Sequence, residues 1–406
     1  MKKHRFDYFA SCPTGLEDLL LLELKAEGAQ ETHIVKGGIS FSSENPHVAL
    51  KVLLKSRVAS RVFKKLYSFE CHNENSMYQE LCDIKWKSVM DVFQTFKITT
   101  IYGKLDRERE FFTNSQFTTL KAKDAIVDWF NNEQERRPNI DKENPDISFL
   151  IRVDDSGDRI YQVQLMLDLC GSPLSQRGYR VASVEAPVRE NLAAGILMLL
   201  NWDPKTEALV DGLCGSGTFL IEGAMIAKGL SAQYLKLKEF MKGQRPWSFL
   251  SHQWFAKDKY IPAEFQAWAK ELYEQDRERL KTPTLAIMGS DIDPVAVKST
   301  KLNLERAGMN IPVKQMNAHE ILPPQEKSLF ICNPPYGDRL MPDDEEKLKE
   351  LYKELGENWK RNWKGHRAGV LTGNLPMLKS ISLRTSKKII IFNGDIECRV
   401  AEYQLF

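Results

Sequence analysis

Ala208-Leu209-Val210-Asp211-Gly212-Leu213-Cys214-Gly215-Ser216-Gly217-Thr218 is the stretch on which the reading of this chain turns. An apolar strand runs into glycines, and an apolar helical stretch, Phe219-Leu220-Ile221-Glu222-Gly223-Ala224-Met225-Ile226-Ala227, follows at once. Glycines at a strand-to-helix turn let a ligand approach the backbone closely, and the helix N-terminus behind them favours negative charge. Further on, Ile287-Met288-Gly289-Ser290-Asp291 reads as a second strand ending in a carboxylate. Asp293-Pro294 then reads as an N-cap with proline in the first helical turn, and Gly308 as the stop. Alternating strands and helices from Pro187 onward predict an α/β domain with a mostly parallel sheet covered on both faces.

A Gly-x-Gly turn alone also suits a dinucleotide. That site expects an acidic residue about 20 positions on, at the end of the next strand. The window here is Leu230-Ser231-Ala232-Gln233-Tyr234-Leu235, with no acid, and the first carboxylate after a convincing strand is Asp291. Residues 229–282 therefore read as an insertion whose aromatics, Trp247, Phe249, Trp254, Phe255 and Trp268, form a local core. A second motif, Asn333-Pro334-Pro335-Tyr336-Gly337-Asp338-Arg339-Leu340, follows the apolar strand Ser328-Leu329-Phe330-Ile331-Cys332. Its prolines remove backbone donors and fix φ, so the loop is stiff and presents carbonyl oxygens. The Asn333 side-chain oxygen and the Pro334 carbonyl can each accept one N–H of a planar amine, and Tyr336 offers a stacking face for a flipped base. Such a loop resembles the one with which amino-methyltransferases hold an NH2 group, although the four residues alone would also suit a simple Pro-Pro turn. The two motifs together fit S-adenosylmethionine better than NAD.

Composition sets the outer bounds. With 406 residues, 42% hydrophobic and 28% charged, the chain is expected to hold two or three domains. No apolar run approaches the ~20 residues of a membrane span, and no signal core follows Met1-Lys2-Lys3-His4-Arg5-Phe6. Seven scattered cysteines without a Cys-x-x-Cys pair disfavour metal and disulfide frameworks, and a reducing cytoplasm is the expected location. The net charge of +2 is small, but its distribution is uneven. Six basic residues, Lys51, Lys55, Arg57, Arg61, Lys64 and Lys65, lie between Glu44 and Glu70 without an acid. Eight more lie between Glu357 and Asp395, with Trp359 and Trp363 interleaved. Either stretch can track phosphates or form a solvated helix face.

Along the chain, residues 1–66 read as a first small α/β unit, with a capping box from Thr14 to Glu17 before a leucine-rich helix that Gly28 ends. Residues 67–170 read as a second unit, with strands near 97–102, 148–153 and 159–165 and a helix from about Asn114 to Asn131. A basic connector at 171–186, carrying Arg177 and Arg180, leads into the catalytic region at 187–406.

These residues together resemble the THUMP-domain guanine-N2 methyltransferases of bacterial 23S ribosomal RNA. The resemblance covers nearly the whole chain. It includes Gly15-Leu16-Glu17, Ser56-Arg57-Val58-Ala59-Ser60-Arg61, Lys121-Ala122-Lys123-Asp124 and Arg177-Gly178-Tyr179-Arg180 in the first half and connector. In the catalytic half it includes Ala186-Pro187-Val188-Arg189-Glu190, Cys214-Gly215-Ser216-Gly217-Thr218 and Asn333-Pro334-Pro335-Tyr336-Gly337. It implies a ferredoxin-like region, a THUMP RNA-binding domain and a class I, Rossmann-like methyltransferase domain. Some members carry a further guanine-N7 module, whereas this chain ends at Phe406, so a single-module form is expected.

By its similarity to class I methyltransferases, the loop from Asp211 through Gly215 and Gly217 to Thr218 should cradle the methionine part of S-adenosylmethionine. Asp211 should lie near its ammonium and Asp291 at its ribose, with Ile292 on the adenine and Asn317, where the family usually has Asp, at the adenine amine. Glu190 is a candidate for closing over the cofactor. Asn333, Pro334 and Tyr336 are the expected catalytic residues, and no metal is implied. Arg57, Arg61, Lys121, Lys123, Arg177 and Arg180 are expected to contact the phosphates of ribosomal RNA, 23S or within a pre-ribosomal particle. The alternatives are the same chemistry on tRNA guanine, DNA adenine or a protein glutamine amide, and an RNA-binding or assembly factor without catalysis.

Overall fold

Tyr8 and Ala10 point to one face of the first strand and Phe9 to the other, and all three are buried, so this strand is interior. The computed structural model describes residues 5–105, 110–183, 187–284, 286–335 and 342–406. The first elements are β1 (Phe6–Ser11), α1 (Glu17–Ala26), β2 (Gln30–Val35), β3 (Gly38–Ser43), α2 (His47–Lys55) and β4 (Arg61–Cys71). They continue with α3 (Glu74–Cys82), β5 (Phe96–Tyr102), α4 (Ser115–Gln134), β6 (Ile147–Gly157) and β7 (Ile160–Asp168). All seven strands form one sheet, ordered β2-β3-β1-β4-β7-β6-β5. The long β4 joins its halves: Phe63 pairs with Phe9 on one side and with Asp168 on the other, and Cys71 reaches Tyr161. The junction expected between residues 66 and 67 thus falls inside β4.

Local signals explain most helix ends. Asn73 accepts from the backbone N–H groups of Asn75 and Ser76 while Ser76 reaches back, a full capping box for α3. Asn114 caps α4 in the same manner from its side chain. The capping box expected at Thr14 does not form. Glu17 instead accepts the Gly15 N–H at 2.7 Å, and the Thr14 carbonyl accepts the N–H of Phe392 at 3.1 Å. The helix starts at Glu17 with Leu16 at its N-cap, so Thr14 lies outside the first turn.

The catalytic half begins with α5 (Glu190–Leu199), β8 (Ala208–Asp211) and α6 (Thr218–Ala227). The insertion follows as α7 (Tyr234–Met241), α8 (Gln253–Ala256) and α9 (Ile261–Leu280). Then come β9 (Ile287–Asp291), α10 (Pro294–Ala307), β10 (Val313–Gln315), β11 (Ser328–Cys332), α11 (Pro342–Asn362), β12 (Arg367–Thr372), β13 (Lys387–Asn393) and β14 (Ile396–Gln404). The second sheet runs β10-β9-β8-β11-β12-β14-β13. Its first five strands are parallel and β14 is antiparallel to both neighbours. From β8 the chain winds outward through β9 and β10, then returns to β11 on the other side of β8. That reversal is the point at which loops diverge and open a crevice above the strand ends.

The insertion fastens the two halves together. Trp247, Phe249, Phe255 and Phe265 are buried in edge-to-face contacts with centroids 5.0–6.3 Å apart. Such a cluster adds to its own burial and is the local core expected from the sequence. Its rim meets the basic stretch of the first half. Lys51 and Lys55 lie over the Trp268 ring, and Lys64 lies 4.2 Å from the Trp254 ring centre. Arg61 pairs with Asp168, and Lys65 donates to Ser40 at 3.2 Å. The run between Glu44 and Glu70 is therefore largely consumed in internal docking. At the far end, among the described residues, Arg367 alone of the eight cations is paired inside the fold, whereas Lys360, Arg361, Lys364, Lys379, Arg384, Lys387 and Lys388 stay exposed. Trp359 and Trp363 pack on Phe330 in the core, and Arg367 is paired with Glu207 and Glu402. Charge spacing along the chain cannot tell an RNA track from cations that pair within the fold.

Candidate active site

The glycine loop leaves the end of β8, and its shape depends on glycine where the backbone turns. Gly217 has φ +81° as the N-cap of α6, and a Cβ there would lie 2.8 Å from Thr300 Cγ2. A Cβ at Gly212 would strike the Phe330 ring. The loop is held from outside. Gly215 donates its N–H to Asp291 Oδ2 at 2.9 Å, and its carbonyl accepts from Thr300 Oγ1 at 2.7 Å. Asn303 Nδ2 donates to the Ser216 carbonyl at 2.9 Å. Thr300 and Asn303 sit on α10, which Asp293 caps, Pro294 begins and Gly308 ends as the sequence predicts. Neither was expected to touch the loop, because a polar residue on a helix face looks the same whether it is solvated or buried.

Asp211 and Asp291 end the adjacent parallel strands β8 and β9. The Asp211 carboxyl is 1% exposed and accepts from the Leu213 N–H at 3.3 Å. Burial, and secondarily the nearby Asp291 charge, push its pKa well above the usual carboxylate range. Asp291 is oriented by two backbone donors, Gly215 on Oδ2 and Asp293 on Oδ1 at 3.0 Å. Each oxygen retains a second lone pair for a hydroxyl. Ile292, next along, is 58% exposed, an apolar face left open at the strand end. The Met316 N–H bonds the Asp291 carbonyl at 3.1 Å, which places Asn317 beside this strand end.

Asn333 follows β11, the strand on the other side of β8. Ile331 pairs directly with Asp211, so Asn333 lies two residues beyond the carboxylate's level. Its Oδ1 is buried and has no hydrogen-bond partner among the described residues. A buried unpaired acceptor is costly, on the order of 1–3 kcal/mol, and this one sits at the crevice. Pro334 is buried next to it, while Tyr336 lies outside the described residues. Among the described residues, no group of three His, Cys, Asp or Glu side chains is placed to hold a metal ion.

Other expected site residues are placed differently. Glu190 opens α5, but its Oε1 accepts from Arg180 Nε at 3.0 Å, so it is part of a clamp. Arg180 also donates to Ser216 Oγ at 3.0 Å, Thr218 Oγ1 at 3.1 Å and the Val188 carbonyl at 2.9 Å. Arg177 is 1% exposed and lies 3.5 Å from buried Glu222, which also accepts from Tyr179 at 3.0 Å. Arg57 donates to the carbonyls of Met225, in the last turn of α6, and Leu230, just beyond it. Phosphate contacts expected at Arg57, Arg177 and Arg180 are thus corrected to internal bonds that join the first half and connector to α6. Lys121 and Lys123, by contrast, lie half-buried on α4; Lys123 pairs with Asp124 and Lys121 leans over the rings of Phe117 and Tyr78. A separate hollow of about 990 Å³, lined partly by Phe9, Arg61, Lys97, Arg245 and Trp247, opens between the first sheet and the insertion and shares no residue with the glycine loop.

Residues 177–402 match the family described as RMKL-like, methyltransferase domain, and so include the glycine loop, Asp291 and Asn333. The chain belongs to this family. Residues 7–63 match the RlmL ferredoxin-like domain and residues 71–161 the THUMP domain, the order expected from the sequence. Among curated relatives, the ribosomal RNA large subunit methyltransferases K/L of Desulfotalea psychrophila and Pseudomonas aeruginosa are 33% and 34% identical over 409 residues. Each alignment covers 98% of this chain but 53% of the relative, so the chain spans about half the length of these proteins. Among solved structures, SMU.472, assigned as a methyltransferase and crystallised with SAH, is 25% identical with a TM-score of 0.76, covering 100% of this chain and 99% of that one. A protein from Listeria monocytogenes described as a predicted N6-adenine-specific DNA methylase has a TM-score of 0.78 at 24% identity, covering 98% of this chain and 96% of that one. At that identity the likeness is one of fold. The architecture is α/β, with ferredoxin-like and THUMP units before a Rossmann-like methyltransferase domain.

Proposed function

We propose that this chain transfers a methyl group from S-adenosylmethionine to the exocyclic N2 amine of a guanine in 23S ribosomal RNA, as a cytoplasmic enzyme. The observation that carries the reading is the pairing, at the point where strand order reverses, of the Asp211 loop with the Asn333 acceptor, which lies just past the neighbouring strand and has no partner among the described residues. Bound S-adenosylmethionine supplies an electrophilic methyl on a sulfonium. The residues present suit it: Asp211 is a buried carboxyl for the ammonium end, Asp291 offers two free lone pairs for the ribose hydroxyls, and Ile292 offers an exposed apolar face for the adenine, with Asn317 at its edge. Gly215, Gly217 and Thr218 line the turn between them.

On the acceptor side, Asn333 Oδ1 and the Pro334 carbonyl each take one N–H of the guanine amine. Bonds in that plane turn the nitrogen lone pair outward, and Tyr336 is the proposed stacking face for the base. Positioning of the two reactants and fixed dipoles then supply most of the acceleration. The THUMP match at 71–161 supports an RNA substrate, and the names of the relatives support large-subunit ribosomal RNA. Lys121 and Lys123 are the proposed phosphate contacts. Mass-spectrometric mapping of rRNA and tRNA from a strain lacking the gene tests this. Loss of one N2-methylguanosine from 23S rRNA is expected. Its persistence there, with a loss from tRNA instead, would move the substrate to tRNA.

A further inference from the structure

We propose that Arg180 is a positioning residue that holds the glycine loop in its binding shape, an inference that rests on the methyl-transfer reading above. Within itself the loop has the Gly217 N–H to Cys214 carbonyl bond at 2.7 Å and the long Leu213 to Asp211 bond at 3.3 Å, and the rest of its support comes from outside. It has positive φ at Gly215 and Gly217, and its described side-chain partners come from other elements. Arg180 belongs to the connector that arrives from the first half of the molecule. Its planar guanidinium spends three nitrogens on four acceptors: Glu190 Oε1, Ser216 Oγ, Thr218 Oγ1 and the Val188 carbonyl, all at 2.9–3.1 Å. A cation beside the first turn of α6 opposes the helix dipole. Glu190 on α5 offsets that charge, and the pair is largely shielded, with Arg180 18% and Glu190 9% exposed at the side chain.

The backbone carrying Arg180 is itself tied down. Asn303 Oδ1 accepts from the N–H groups of Val181 and Ala182 at 2.8 and 3.0 Å, and its Nδ2 donates to the carbonyls of Ala182 and Ser216. Connector, loop and α10 are thus one hydrogen-bonded unit. A lysine has a single nitrogen on a flexible stem and cannot span the same acceptors in one plane.

Calorimetry with S-adenosylhomocysteine on the full chain tests this. Arg180→Gln should weaken binding roughly ten- to hundredfold, as expected when charge-assisted bonds in a shielded site are lost. Arg180→Lys should fall between the two. In steady-state assays the loss should appear as a raised KM for S-adenosylmethionine with kcat nearly kept, and RNA affinity should not move. Ser216→Ala removes one acceptor and should be less than additive with Arg180→Gln. If Arg180→Gln does not fold, Ser216→Ala alone should still weaken binding several-fold. S-adenosylhomocysteine affinity within twofold of wild type in the folded variants would overturn the inference, as would an unchanged cofactor KM with weakened RNA binding. A wild type that does not bind S-adenosylhomocysteine would instead overturn the methyl-transfer reading.

Discussion

At the scale of single residues, the site is a set of groups whose demands are unmet among the described residues. Asn333 has a buried acceptor without a partner among the described residues, and Asp211 a buried carboxyl whose bond to Leu213 is long at 3.3 Å. Asn333→Ala should therefore lower single-turnover methylation of bound RNA roughly a hundredfold or more, by analogy with loss of one oriented transition-state partner, while leaving cofactor affinity near wild type. A wild-type rate would place the chemistry elsewhere. The Asp211 prediction concerns protons. Its carboxyl is held well above its ordinary 3.8, so the folded protein keeps a proton that the unfolded chain has lost. Its contribution to stability accordingly falls as pH rises from 3.8 through the folded value. A cation beside it favours the carboxylate, so cofactor binding should release a proton and tighten with rising pH. Calorimetry in buffers of different ionisation enthalpy should register that release in wild type and lose it in Asp211→Asn. Heats independent of buffer in wild type would refute it.

Elements explain how so irregular a site stays in place. The strand β8 and helix α10 act together on the glycine loop, one setting its start and the other bonding its carbonyls through Thr300 and Asn303. The insertion has a second role as a wedge between the halves, and one residue in it makes a testable weak point. His252 ends the short helical turn before α8, is fully buried, and has neither ring nitrogen bonded among the described residues. Burial, with a smaller push from Lys64, lowers its pKa from 6.5 to about 3. The unfolded chain thus binds a proton that the folded state refuses, so stability rises with pH up to 6.5 and is lost below it. His252→Phe should flatten this acid loss by up to about 1.4 kcal/mol per pH unit below that point, read from urea titrations at several pH values. Parallel pH profiles for the two proteins would show that His252 finds a partner or water.

Across the whole molecule, several arginines serve assembly: Arg57, Arg61, Arg177, Arg180 and Arg367 all bond inside the fold. Arg57, Arg177 and Glu222 form a buried cluster where the first half meets α6, and removing one member of such a group strands the others without compensation. The proposed phosphate contacts that remain lie on α4, where Phe117 is 47% exposed beside Lys121. Replacing Lys121 and Lys123 together with Gln should weaken RNA binding and reduce the slope of log K against log salt by roughly one to two. Equal slopes would mean that these lysines are solvated and touch no phosphate.

Periodicity, glycine and proline carried the parallel sheet, the Gly-loop turn, the cap and stop of α10, and the positions of Asp211, Asp291 and Asn333 at strand ends, since each follows from a local backbone preference. The aromatic insertion was legible from spacing, since the window at 230–235 has no acid and the first carboxylate after a convincing strand is Asp291. The fate of the cations was not. Lys51, Lys55 and Lys64 rest on insertion aromatics roughly two hundred positions away, and Arg177 and Arg180 bond to α6 and the loop before it. A guanidinium looks identical in sequence whether it faces a phosphate, a carboxylate or a helix end. The choice lies in desolvation and partner geometry, which exist only once distant segments have packed.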